Sequence, residues 1–341
     1  MSVETSVIIP NWNGIDFLPH CLNSLRDQTF KEFEIIVVDN GSTDGSVDFL
    51  SRNYSDVNLV KLKTNTGFSR AINEGIRVAK GDYCLLLNND VEADPYLIEN
   101  LHGVAKNKGA NFYACRMMNF YNRDIIDGAG DGYTREGKAF RIGWGEKYEN
   151  KFDKIKRVFG ACAGASFYRR ELFDEVGLFD LDFFAYHEDT DWNFRANLMG
   201  FKCFYIPSAV VFHVGSATTG SFINEFTVFY NVRNMINVII KNIPTPLLLK
   251  LLPKILWGQI KTFIRVSFIE GYPITYMKGI FSVVKLLPKT LRKRRKIQQS
   301  KKISNHELEE LIRSSEKDSR RMGAFIRKVY GSRHSDNNRR L

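Results

Sequence analysis

Apolar and polar positions follow two rhythms over the first hundred or so residues. Thr5-Ser6-Val7-Ile8-Ile9, Glu34-Ile35-Ile36-Val37-Val38-Asp39, Val57–Leu62 and Tyr83–Leu87 are short apolar runs with little polar alternation. Such runs suit parallel strands covered on both faces. Between them the period becomes helical. Phe17, Leu18, Leu22 and Leu25 line one face of 16–26 behind Asp16 as cap, the turn Asn40–Gly45 leads into a helix near 45–53, and Gly67-Phe68 opens a helix to Ala79. Asp94-Pro95 opens another, with the aspartate as cap and the proline at the first helical position. Alternating strand and helix predicts a doubly wound α/β half-domain whose ligands gather beyond the carboxyl ends of the strands. Asn11, Asp39, Asn65 and Asp90 all fall at such ends.

Beyond residue 119 the rhythm breaks. Residues 120–157 alternate glycines with charges and aromatics, which suggests turns and hairpins forming either an active-site rim or a mobile surface insertion. A strand over 158–168, a helix over 169–176, a helix over 190–198 and strands over 201–206 and 209–212 complete a core in which parallel and antiparallel strands mix. The expected architecture is α/β, with a Rossmann-like mixed sheet and a C-terminal amphipathic helical extension. Residues 1–240 form one domain in two halves, 1–119 and 120–240. Residues 241–341 form a basic helical region.

Charge sharpens that division. Residues 1–240 hold 31 acidic and 25 basic side chains, against 7 and 24 in 241–341, so a net −6 is followed by a net +17. A nucleic-acid binder would not be split this way, and nucleic acid is an unlikely partner. Lys250, Lys254, Lys261 and Arg265 fall within about 60° of one another on a helix, beside apolar residues that include Trp257 and Phe263. With Arg292-Lys293-Arg294-Arg295-Lys296, the stretch 246–296 fits a helix lying on an anionic membrane surface. The alternative is a helical cap packed on the catalytic domain. The apolar stretches are broken by Lys or Pro, which argues against a spanning helix, and no signal peptide is read at the start. Five widely spaced cysteines without a C-x-x-C read as thiols in a reducing compartment, not as zinc ligands or disulfides.

Two acidic clusters carry the chemistry. Leu85-Leu86-Leu87-Asn88-Asn89-Asp90 ends a strand in a carboxylate suited to a hard divalent cation such as Mg2+ or Mn2+, with His213 as a second protein ligand. His187-Glu188-Asp189-Thr190-Asp191 offers a general base, and spacing does not say which carboxylate reaches the substrate. Turn and helix-cap roles are the plainer readings of these residues. Glycine-rich phosphate loops are absent, so a metal would have to neutralise a diphosphate.

The runs Val7–Asn13, Ile36–Gly45, Asn65–Gly75 and Leu86–Asp90 together resemble the family 2 glycosyltransferases. Phe159–Arg170, Val176–Asp180, Phe183–Trp192 and His213–Thr218 are most similar to the rhamnosyltransferase-like branch. The resemblance covers roughly residues 5–300. It implies a GT-A fold and an inverting, metal-dependent transfer from a nucleotide-diphosphate sugar. It also implies that Asp39 holds base or ribose, that Pro10, Asn11, Asn13, Asn65, Gly67 and Phe68 line the nucleotide pocket with Asn88 and Asn89, and that Asp90 and His213 hold the metal. Asp189 is then the general base, oriented by Glu188. Asn88 departs from the family's first aspartate at that motif and leaves the metal with fewer protein charges. The resemblance further implies a lipid-linked glycan acceptor at the inner face of the cell membrane. dTDP-rhamnose is the leading donor and a UDP-hexose or UDP-N-acetylhexosamine the alternative. A rival of another class is a catalytically inactive nucleotide-sugar-binding scaffold.

Overall fold

The uninterrupted apolar runs stack as strands of one mixed sheet, in a computed structural model that describes residues 3–106, 112–215 and 223–318. Strands β1 (Thr5–Asn11), β2 (Phe33–Asp39), β3 (Asn58–Lys61) and β4 (Tyr83–Leu87) run parallel, with β1 between β4 and β2 and β3 on the outer edge. On the far side, β11 (Ala165–Arg169) lies antiparallel between β4 and β6 (Phe112–Asn119). Strand β12 (Cys203–His213) then runs parallel to β6. Short strands β5 (Val91–Ala93) and β10 (Lys156–Val158) pair with β12, and β7 (Ile126–Ala129) pairs with β6. A hairpin of β8 (Asp131–Tyr133) and β9 (Ala139–Arg141) stands apart.

Lack of polar alternation has a direct cause. Ile8, Ile36 and Leu86 pack with α3 (Phe68–Val78) and α6 (Glu188–Leu198), whereas Val7, Val37 and Leu85 pack with α1 (Leu18–Arg26) and α4 (Leu97–Ala105) on the other face. Burial on both faces leaves no position for a polar residue until the strand ends. The fold is the α/β GT-A type, with a mixed sheet and a C-terminal helical region.

Several local expectations are corrected. Residues 158–168 are not one strand, because the side chain of Asn193 accepts from Ala161 N (3.3 Å) and donates to Ala161 O (3.0 Å), which draws 159–164 off the ladder. Residues 201–206 and 209–212 belong to one strand, β12, whose register shift between Ile206 and Val210 absorbs Pro207. The helix foreseen over 169–176 is a single turn, α5 (Leu172–Glu175). Asp16 caps nothing, since α1 starts after Phe17 with Pro19 in its first turn. Asp94 accepts from Tyr96 N (3.0 Å), and α4 begins only at Leu97. Residues 120–157 are no mobile insertion: Ile126, Ala129, Tyr133, Ile142 and Phe152 are all buried.

The C-terminal region is several helices. Helix α7 (Glu225–Asn242), capped reciprocally by Asn224 and Thr227, runs across residue 240. Helix α8 (Thr245–Ile264) leads into a π-helical turn (Arg265–Ile269), a bend at Gly271 (φ 84°) and α9 (Pro273–Gln299). Residues 305–318 are helical as well. Met235, Ile239, Leu251, Ile255, Leu308 and Ile312 close over Phe183, Phe194 and Leu198, so the cap reading holds for one side of these helices. The basic stripe faces acids of the same chain. Lys250 pairs with Glu309 (2.6 Å), Lys261 with Glu136 (2.6 Å) and Arg265 with Glu270 (3.1 Å).

Asp191, fully buried on α6, is the node of this assembly. It accepts from Arg195 Nε (3.0 Å), Lys241 Nζ (2.9 Å) and Asn242 Nδ2 (2.8 Å). Lys241 also bonds Asp180, and Lys293 of α9 bridges Asp180 and Asp182. Burial disfavours the Asp180 charge, but Lys241 and Lys293 outweigh it and hold its carboxyl far below the ordinary range. Taking one partner from a buried ion pair strands the other, at about 3–5 kcal/mol. Lys241→Met is therefore expected to lower unfolding free energy by about that amount in urea titration; a loss of less than about 1 kcal/mol, the range of an exposed pair, would show that the node does not hold α6 to α7.

Candidate active site

A cavity of about 670 Å3 opens over the carboxyl ends of β1 and β4 and is closed on its far side by the β8–β9 hairpin and the start of α6. Pro10, Asn11, Asn65, Gly67, Phe68, Asn88, Asn89, Asp90, Glu188, Asp189 and His213 all line it. Thus eleven residues proposed from scattered sequence positions share one cleft. Asn13 and Asp39 do not reach its lining. Asp39, buried, accepts from Asn11 Nδ2 (3.2 Å) and Ser42 N (3.0 Å), and Asn13 Oδ1 accepts from Thr43 N (2.8 Å). They brace the loop after β2.

The strand-end amides form a chain of contacts along one rim. Asn89 Nδ2 donates to Asn11 Oδ1 (2.7 Å), while Asn40 donates to Asn65 Oδ1 (3.1 Å) and to the Gly67 carbonyl (3.2 Å). Gly67 has φ 88°, and a Cβ there would fall 2.6 Å from the Phe184 ring and carbonyl. No larger residue could let these two walls meet.

The opposite wall is strained. Phe184, Tyr186 and His187 hold φ of 59°, 67° and 65°, a left-handed conformation costing about 1–3 kcal/mol per residue. α7 imposes it. Asn234 Nδ2 donates to the carbonyls of Phe183, Ala185 and Tyr186 (2.9, 2.8 and 2.7 Å), and Arg233 donates to those of Asp182 and Phe183. Helix α6 consequently starts at Glu188, two residues earlier than its apolar pattern suggests.

The structure separates three neighbouring acids. Asp191 is sealed in its ion-pair node and reaches no substrate. Glu188 is buried with Oε2 unpartnered among the described residues, and burial followed by the charges of Asp189 and Asp191 pushes its carboxyl well above the usual range. Asp189 remains, half-buried on the cleft wall, its Oδ1 accepting from Thr190 N (2.6 Å). Only its position suits a base meeting a substrate hydroxyl.

Several groups that sequence reasoning missed surround it. Asp131, Cys162 and Asp189 have ligand atoms within 4.8 Å of one another, and Asp131 Oδ1 lacks a hydrogen-bond partner among the described residues. Burial and then the charge of Asp189 raise the Asp131 carboxyl well above its ordinary value. Arg141 joins this cluster through Cys162 Sγ (3.3 Å) and Asp127 Oδ2 (2.7 Å). Their only signal was Asp127-Gly128-Ala129-Gly130-Asp131-Gly132, acids spaced by glycine, where a Cβ on Gly132 would fall 2.2 Å from Phe140.

On the other side of Asp127, His213 Nε2 stands 3.4 Å from Asp90 Oδ1, an oxygen with no hydrogen-bond partner among the described residues. Asp127 holds His213 Nδ1 at 2.7 Å. A carboxylate oxygen and a ring nitrogen facing one point, the ring steadied from behind by a second carboxylate, fit a divalent cation. The Asp131, Cys162 and Asp189 trio is a poorer match for Mg2+ or Mn2+, because its thiol is a soft ligand and Arg141 already brings positive charge.

Residues 6–177 match the family model "Glycosyl transferase family 2". A PGL/p-HBAD biosynthesis glycosyltransferase of Mycobacterium tuberculosis is 31% identical over 64% of this chain and 77% of its own length. Glycosyltransferase GlyG of Streptococcus pneumoniae is 34% identical over 38% of this chain and 42% of its own. Among solved structures, S. aureus TarS 1-349 aligns with TM-score 0.55 and 16% identity over 87% and 88% of the two chains. The Pyrobaculum calidifontis mannosyltransferase PcManGT, solved with GDP-Man and Mn2+, aligns with TM-score 0.52 and 17% identity over 88% and 85%.

Two outcomes are expected from this geometry. Burial opposes the His213 charge, yet Asp127 and Asp90 outweigh it and hold the pKa up at about 9, above the ordinary 6.5. Its stabilising contribution is then full below pH 6.5 and lost as pH rises through about 9. Metal-free protein should lose Tm over that window, and His213→Gln should flatten the loss; an equal slope in both would exclude His213 as its source. Asn234→Ala should lower kcat at least about tenfold by releasing the strained loop, with donor affinity kept. Parallel loss of kcat and donor affinity would contradict that division of roles.

Proposed function

The chain belongs to glycosyltransferase family 2, an enzyme family that transfers a sugar to an acceptor, and on that premise we propose an inverting, divalent-metal-dependent transfer of one hexose to a saccharide hydroxyl. The supporting observation is the position of Asp189: the more exposed of the two acids of its cluster that line the cleft, in a lining it shares with Asp90 and His213. In this reading Asp189 takes the proton of the acceptor hydroxyl as that oxygen attacks the anomeric carbon. The bond from that carbon to the diphosphate oxygen breaks in the same step, without a covalent enzyme intermediate, so the configuration inverts. Glu188 and Asp131, whose carboxyls are both raised well above the ordinary range, flank Asp189 and orient it or the acceptor. Asp90 and His213 would hold the metal, and a bound Mg2+ or Mn2+ would neutralise the departing diphosphate. Asn11, Asn65, Gly67, Phe68, Asn88 and Asn89 border the nucleotide, with Asp39 and Asn13 fixing the loop beneath it.

For the donor, the resemblance of Phe183–Trp192 and Phe159–Arg170 to the rhamnosyltransferase-like branch favours dTDP-rhamnose. UDP-hexoses and UDP-N-acetylhexosamines are the alternatives, and solved neighbours bound to UDP-GlcNAc and GDP-Man keep the donor set broad. The proposed acceptor is a polyprenyl-diphosphate-linked glycan, met at the inner face of the cell membrane by a cytoplasmic enzyme attached through residues 246–296. No helix among the described residues is long and apolar enough to cross a membrane. In this scheme residues 1–119 bind the nucleotide sugar, 120–240 hold the acceptor and the catalytic groups, and 241–341 add attachment to the support they give α6.

Calorimetry with dTDP-rhamnose, UDP-glucose, UDP-N-acetylglucosamine and GDP-mannose, each with and without Mn2+, tests the donor reading. Tight binding confined to dTDP-rhamnose and lost without metal is the expected result. Asp189→Asn should then reduce transfer by about 10²–10⁴-fold, the contribution of a general base, with donor binding intact. Donor binding with no transfer by the unaltered protein would favour the inactive scaffold.

A further inference from the structure

Helix α8 presents three faces. Leu247, Leu251 and Ile255 point into the core, Lys250 and Lys261 sit on a flank paired to acids of the chain, and the side opposite the core is apolar and bare among the described residues. On that side Leu249, Leu256 and Ile260 are 64%, 53% and 47% exposed. The face continues through Phe268 and Ile269 of the π-helical turn, 75% and 76% exposed, to Phe281 of α9 at 63%. A contiguous apolar face of this extent marks an interaction surface. The charge around it selects the partner. Fifteen Lys or Arg and one acid, Glu270, occur over residues 241–304. Lys278, Lys285 and Arg292 lie within about 60° of Ile274 and Phe281 on α9, exposed and without ion pairs among the described residues. Two copies meeting through this face would set basic rim against basic rim. Anionic headgroups over acyl chains satisfy both features at once.

Resting on the membrane-attached transferase reading, we infer that this outward face of α8, the π-helical turn and α9 is the surface that enters an anionic bilayer. The basic stripe Lys250, Lys254, Lys261 and Arg265 is not that surface. Nor is the whole 292–296 cluster, since Lys293 bridges Asp180 and Asp182 and Arg294 donates to the Ile240 and Ile243 carbonyls. The hairpin wall of the cleft rests on the same platform, where Gly258 of α8 lets Glu136 approach (a Cβ would fall 2.8 Å from its carbonyl oxygen). An inserted α8 therefore stands beside the acceptor wall of the cleft.

Co-sedimentation of the full chain with phosphatidylglycerol–phosphatidylcholine vesicles, and with phosphatidylcholine alone, tests the inference. The variant Leu256→Ser, Ile260→Ser, Phe268→Ser, Ile269→Ser should lose at least about tenfold of its partitioning into anionic vesicles, with Tm and donor binding unchanged. Lys278→Glu with Lys285→Glu should weaken binding to anionic vesicles alone. Wild-type partitioning by the serine variant, with loss only in Arg292→Glu, Arg295→Glu, would overturn this face and leave membrane attachment standing. A wild-type dimer in light scattering that the serine variant dissociates, with no vesicle binding, would assign the face to a second copy. Failure of the wild type to bind any vesicle while it transfers sugar to a soluble acceptor would overturn docking without touching the transferase reading.

Discussion

A buried carboxylate organises this molecule. Asp191 has no access to water, and three donors from two helices converge on it. An uncompensated charge at that depth would cost several kcal/mol, so α6 and α7 are held in one relative position wherever the protein is folded. Lys241 passes the constraint to Asp180, and Lys293 extends it to α9. The helices after residue 224 thus belong to the machinery that positions α6.

From that anchor follows the division of labour in the cleft. With α7 fixed, Arg233 and Asn234 can bind five carbonyl contacts of the loop before α6 and hold three non-glycine residues at positive φ. Strain of this kind persists only where surrounding contacts over-determine it. Its effect is to start α6 at Glu188 and turn Asp189 toward the cleft. The same geometry gives Glu188, Asp189 and Asp191 different environments: one buried with its carboxyl raised, one half-open to the cleft, one paired. Like charges crowded at one site resolve themselves in this way when burial differs among them. Asp131 adds a second acid with a raised carboxyl from a hairpin far away in sequence.

Most of the parallel sheet was legible because β1, β2 and β4 are buried on both faces and show it as unbroken apolar runs. Strand ends were legible too: Asn11, Asn65, Asn89 and Asp90 lie on one cleft wall where the α/β rule puts ligands. Asp127, Asp131 and Arg141 were hidden, since a lone acid between glycines has no period to reveal its facing partner. The break between β10 and β11 was equally silent, depending on Asn193 some thirty residues on. The tail misled in an instructive way. A basic stripe on an amphipathic helix predicts a charged outer face, but helical angle says nothing about which acids another segment supplies. Glu136 and Glu309 turn Lys261 and Lys250 to the protein and leave the apolar stripe outside.

The central claim is a single displacement driven by Asp189, and its stereochemistry is the most direct test. Proton NMR of the sugar released by slow donor hydrolysis, recorded before mutarotation, reports the anomeric configuration of the first product. Inversion relative to the donor is the predicted result. Retention would require two displacements or a covalent intermediate, and would contradict the assignment of Asp189 as a base acting in one step.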